Sequence, residues 1–145
     1  MPLRRLASAA AALALLAACG QGAPAPEPPP PAPSAAALVL ETPQEGMAAR
    51  SPLVVSGEAP SDWFFEEQFP TLLMDGDGRV LAEAAAIAQT PVGENIGGMI
   101  RFRAQLVFVV SADTPATLVL QEDMPQEGAP ARETRLSVTL QPPLR

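Results

Sequence analysis

Between Ile100 and Val110 every even position is apolar, running Ile100, Phe102, Ala104, Leu106, Phe108 and Val110, while Arg101, Arg103 and Gln105 fall on odd positions. A period of two held over that length selects a β-strand with one face buried and the other in water. Leu136, Val138 and Leu140 alternate with Arg135, Ser137 and Thr139 in the same way, and Leu53 and Val55 alternate with Val54, Ser56 and Glu58. Further strands are expected at Leu38–Glu41, Phe69–Met74, Arg79–Ala84 and Thr117–Gln121, each bounded by Pro, Gly or Asp. About seven short strands, spaced by turn signals, predict an all-β fold, an antiparallel β-sandwich.

Asp75-Gly76-Asp77-Gly78 separates two of these runs. Gly and Asp accept the positive φ of tight hairpin turns, so residues 69–84 are predicted to form one β-hairpin. The one competitor for helix is Leu81–Gln89, LAEAAAIAQ, whose alanines have high helix propensity. It is short and has few apolar anchors, so the expectation is a strand at its start and an irregular or single-turn finish.

The residues before Leu38 cannot belong to that core. Met1–Arg5 carries Arg4 and Arg5, and Leu6–Ala18 is an uncharged Ala- and Leu-rich run of 13 residues. That is the pattern of a secretory signal peptide and is well short of the ~20 apolar residues a permanent membrane helix needs. The run ends in Leu16-Ala17-Ala18-Cys19, which resembles the lipobox of bacterial lipoproteins. The resemblance implies cleavage between Ala18 and Cys19 and attachment of lipid to the sulfur and amine of Cys19. Gly20 stands where an Asp would imply inner-membrane retention in enteric-type bacteria, which leans toward the outer membrane.

Residues 19–37 form the expected linker. Gly20–Ala37 holds seven Pro in 18 residues and no large apolar side chain, so it can bury no core and is predicted to be an extended spacer with a reach of about 55 Å. Residues 38–145 form the expected globular domain. Without residues 1–18 the chain has 7 Arg against 16 acids, a formal charge of -9, and no Lys. Such a surface disfavours nucleic acid, whose capture needs a basic stripe. The chain also lacks His, which excludes Ser-His-Asp and Cys-His catalysis, and its single Cys forms no internal disulfide. No cofactor is expected, and the expected contacts are a membrane, reached through the lipid, and an envelope protein or glycan.

The order and spacing of several segments resemble the Gmad2 domain, an immunoglobulin-like domain of bacterial spore-germination proteins. They are TPQEGMAARSPLVVSGEA at Thr42–Ala59, WFFEEQFPTLLMDGDGRVL at Trp63–Leu81, RFRAQLVF at Arg101–Phe108 and ATLVLQEDMPQEG at Ala116–Gly128. The resemblance implies an immunoglobulin-like sandwich in an extracytoplasmic setting, and it implies no activity, since a fold does not fix a function.

Candidate sites are few. Trp63 and Phe64, in a run of three aromatics, either plug the core or edge a shallow groove for a peptide or glycan. Arg101 and Arg103 share a strand face and could hold a carboxylate or phosphate, with cross-strand acids Glu58, Glu66 or Glu122 as the competing partners. Asp75 and Asp77 imitate the start of a calcium loop, but Val80 and Ala86 stand where an EF-hand needs Gly and Glu, leaving at most a two-carboxylate site. Glu66 and Glu67, adjacent on a strand, would point to opposite faces and could not flank one glycosidic bond. The loop at 122–133 lies at a sandwich end, where interaction sites concentrate. These features predict a non-enzymatic binding or scaffolding module, with an accessory, inhibitor-like subunit of an envelope enzyme as the alternative.

Overall fold

The computed structural model describes residues 37–144. The expected signal peptide, Ala18, Cys19 and the Pro-rich linker as far as residue 36 lie outside the described residues. Eight strands follow in order: β1 Val39–Thr42, β2 Ala48–Arg50, β3 Leu53–Pro60, β4 Gln68–Asp75, β5 Val80–Ala88, β6 Met99–Leu106, β7 Thr114–Gln121 and β8 Glu133–Gln141. Short 3-10 turns occupy Ser61–Trp63 and Val92–Glu94. The spatial order is β1-β3-β6-β5-β4-β7-β8-β2.

This sheet curls into an immunoglobulin-like β-sandwich because its middle is nearly cut. β3 and β6 pair over eight residues, from Leu53 opposite Leu106 to Pro60 opposite Met99. β4 pairs with β5 along its length, β7 with β4, and β8 with β7. Between β5 and β6 only two pairs form, Ile87 with Arg103 and Ala88 with Phe102. The strands splay beyond that corner, and the two halves fold their apolar faces together.

The inward residues are those the alternation selects. β6 alternates exposed and buried without a break, and Val55, Leu73, Leu106, Leu118, Leu120 and Leu140 have no exposed surface. Phe69 is the aromatic hub, edge-to-face with Trp63 at 5.7 Å, Phe64 at 5.0 Å and Phe102 at 5.0 Å. Such pairs add about 0.5–1.5 kcal/mol each beyond area burial.

The hairpin forms where the turn residues place it. Asp75 N–H donates to the Arg79 carbonyl at 2.9 Å, Gly78 N–H donates to the Asp75 carbonyl at 3.1 Å, and Gly78 has φ 81°. Gly57 is required for a different reason. A Cβ there would run into the Val39 carbonyl oxygen of β1.

Four expectations of detail need correction. The described residues form eight strands rather than about seven, because β2 is only Ala48-Ala49-Arg50 with Ala49 alone turned inward, too short to show a period. The sheet is not wholly antiparallel, because β2 runs parallel to β8, with Ala48 opposite Thr139. After β1 has paired with β3, the chain crosses to the other half of the sandwich to make this contact. Leu81–Gln89 does not end irregularly: β5 is continuous to Ala88, because β4 offers it a ladder from Met74–Val80 to Gln68–Ile87 that outweighs alanine helix propensity. In β6 the ladder stops at Leu106, although Phe108 is still buried and donates its N–H to Ser51 Oγ at 3.0 Å.

Candidate functional site

Trp63 closes the 3-10 turn after β3 and is only 3% exposed, so it lies inside rather than edging a groove. Phe64 is half-buried against Phe69, and Phe65 is the exposed ring of the trio. Over Trp63 lies the guanidinium of Arg132, 5.7 Å from the ring centroid. Arg132 holds Glu122 with both arms of its fork, Nε to Oε2 at 2.9 Å and Nη2 to Oε1 at 2.8 Å, and its own N–H donates to Oε2 at 3.0 Å. Nη2 also reaches Asp62 at 2.9 Å.

Glu122 is buried, and the hydrogen bonds from Arg132 hold its carboxyl below the usual range against the opposing pull of burial. The Arg132 guanidinium is raised in turn, chiefly by its bonds to Glu122. Asp123 N–H donates to the Trp63 carbonyl at 3.0 Å. The 122–133 loop is therefore clamped at both ends to the turn that carries Trp63. Sequence reasoning named the loop but not this clamp, because two charges ten residues apart across Pro and Gly leave no periodic signal.

The two strand arginines part company. Arg101 Nη2 contacts Glu41 Oε1 at 3.2 Å and Nε lies 3.8 Å from Glu58 Oε1, so β1 and β3 supply its acids. Of the three expected partners only Glu58 is used, since Glu122 belongs to Arg132. Among the described residues Arg103 has no ion pair, although it sits on the same face, opposite Ser56 of β3 and Ile87 of β5.

Asp75 is consumed by its own turn. Its Oδ1 accepts the N–H groups of Asp77 at 3.0 Å and Arg79 at 2.9 Å, and its Oδ2 accepts Arg79 Nε at 3.2 Å. These bonds, led by the Arg79 N–H, hold the carboxyl below its usual range. The Asp75 oxygens thus serve the turn, and Asp77 contributes its N–H to it. Among the described residues no three acidic or sulfur side chains converge.

Glu66 and Glu67 are not on a strand, as expected from sequence, but are the two central residues of a tight turn between Phe65 and Gln68, with φ 49° and 69°. Positive φ at both positions is the geometry that favours Asn and Gly, and here it is held by contacts. The Glu67 carboxylate accepts the Val92 N–H at 3.0 and 3.2 Å, and its carbonyl accepts Ala88 N–H at 2.8 Å. The turn replaces the strand parity expected for the pair, and the Glu67 carboxylate is engaged by the Val92 N–H.

Residues 37–129, nearly two thirds of the chain, match the family described as the immunoglobulin-like domain of bacterial spore germination, Gmad2. No curated protein and no solved structure gives a match.

Proposed function

The chain belongs to the Gmad2 family of immunoglobulin-like domains, and from that premise we propose a lipid-anchored protein of the bacterial cell envelope that presents a non-enzymatic binding or scaffolding domain on a Pro-rich stalk. One observation carries the anchoring: the chain's only Cys stands at the end of Leu16-Ala17-Ala18-Cys19, directly after an uncharged run and directly before Gly20–Ala37. Two acyl chains on Cys19, at ~0.8 kcal/mol per buried CH₂, hold an acidic protein on a membrane without a basic patch. The family supports an extracytoplasmic setting. Three carboxylates of the folded part support a binding role over catalysis, since Glu122 and Asp75 are held by arginines and Glu67 accepts the Val92 N–H.

The test is metabolic labelling of bacterial cells expressing the full chain with radioactive palmitate. Label in the membrane-bound protein, lost together with membrane attachment in Cys19→Ala, is the expected result. Unlabelled wild-type protein, or label that persists in Cys19→Ala, overturns the anchoring.

A further inference from the structure

The corner between β5 and β6 leaves two strand edges open, and their backbone can be read. Gln89 N–H donates to the Arg101 carbonyl of β6 at 2.8 Å, whereas Ala88 N–H donates to the Glu67 carbonyl on the β4 side at 2.8 Å. Peptide groups of a strand alternate sides, so Ile87, Ala85 and Glu83 aim their N–H and C=O groups at β6. Only Ile87 finds a partner there; at Ala85 and Glu83 the strands have separated. Pro70, which has no N–H to give, stands opposite Ala85 on the other side, as that parity requires. An open cleft of about 400 Å³ lies along this seam, lined by Ala85, Ile87, Arg103 and Gln105 among others.

Proteins blunt exposed edges with short strands, charges, Pro and bulges. The outer edges here are blunted. β1 has four residues, a register shift between Leu40 and Thr42, and Glu41; β2 has three residues, Arg50 and Pro52 close behind. The seam is not. β5 spans nine residues with Glu83 as its one charge, and Ala104–Val110 carries neither charge nor Pro. Along it Ile87 is 44% exposed.

Charge says which occupant suits it. Arg103, at the closed end of the seam, faces solvent without an acid among the described residues in a domain of acidic excess, so an occupant with a carboxylate at that end completes it. A second copy of β5 does not fit. An antiparallel pair of Val80–Ala86 segments centres on Glu83 and sets two carboxylates against each other. We infer that the β5–β6 seam binds an extended segment of a partner protein as an added strand on β5, with alternate side chains apolar and its carboxylate on Arg103. Main-chain bonds to Ala85 and Glu83 would supply affinity, and Arg103 the register. The inference rests on the binding-domain reading above and specifies its surface.

The probe is an eight-residue peptide alternating threonine and valine, with one lysine at its fourth position to meet Glu83. It is made with a free C-terminal carboxylate and, separately, as the amide, and is added to the full-length protein. Hydrogen exchange at the Glu83 and Ala85 amides reports pairing, and titration reports affinity. The expected result is protection of both amides, at least tenfold weaker binding of the amidated peptide, and loss of that preference in Arg103→Gln. Ala85→Pro, which removes an N–H aimed at the seam, should abolish binding with Tm unchanged. If Ala85→Pro does not fold, Arg103→Gln still decides, because it leaves the backbone intact. No protection at saturating peptide, equal binding of both peptides, or concentration-dependent dimerisation protecting the same amides would overturn the inference. Such a failure with palmitate labelling retained leaves the anchored-domain reading in place.

Discussion

Replacing Arg132 by alanine takes both arms of the fork from Glu122, which is 8% exposed and can recover little of the loss from water. A hydrogen bond to a charged group contributes about 1.5–3 kcal/mol. The variant keeps the backbone N–H on Oε2, the guanidinium is partly exposed, and the stranded carboxyl can take a proton, so the two lost bonds together come to about 2 kcal/mol. The Asp62 arm is largely in water and adds little, while the guanidinium over Trp63 adds about 0.5 kcal/mol. The sum is a loss of about 2–3 kcal/mol, a fall in Tm of about 10–15 °C for a domain of this size. Urea unfolding of the full-length protein at pH 7 measures it.

The pH dependence separates this cause from a general loss of packing. Because Arg132 lowers the Glu122 carboxyl, the unfolded chain takes up its proton first as pH falls. The wild-type contribution is therefore complete above the ordinary glutamate value of 4.5 and drains away as pH drops through the lower folded value. The gap between wild type and Arg132→Ala should be full at pH 7 and shrink toward pH 3. A gap under about 0.5 kcal/mol at pH 7, or one that stays constant or widens between pH 6 and pH 3, would refute the clamp.

Gly57→Ala drives a Cβ against the Val39 carbonyl and should cost about 1–3 kcal/mol, with amide exchange accelerated first in Val39–Thr42. Glu66→Gly relieves a left-handed φ of 49° and loses no side-chain bond among the described residues, so thermal unfolding should show a gain of about 0.5–1 kcal/mol after the entropy of glycine is counted. Phe69→Ala empties the centre of the aromatic cluster and should cost about 3–5 kcal/mol in urea unfolding, with loss of the Trp63 near-ultraviolet signal.

What could be read from the sequence follows the physics of each element. β6 and the 69–84 hairpin were legible because period two and Asp-Gly turns are local properties. β2 was illegible because its three residues owe their conformation to β8, 91 positions on from Ala48 to Thr139. The end of β5 was illegible because its alanines prefer helix in isolation and are held extended by β4 along the strand and by β6 at Ile87 and Ala88. Glu66 and Glu67 look like strand residues, and only the return of the chain at Gln68 shows them to be a turn. Of the site features, the shared face of Arg101 and Arg103 was visible in the alternation. That Glu41 and Glu58 satisfy only one of them depends on how β1 and β3 flank β6.

The most direct test of a tethered binding domain is photo-crosslinking in living cells of the native host, with the full-length protein carrying a photo-reactive residue at Ala85 in the seam or, as control, at the exposed Asp113 before β7. Mass spectrometry of the adducts should find one discrete protein attached through an extended segment at position 85 and none at position 113. Adducts equally frequent at both positions, or only at 113, would contradict the account.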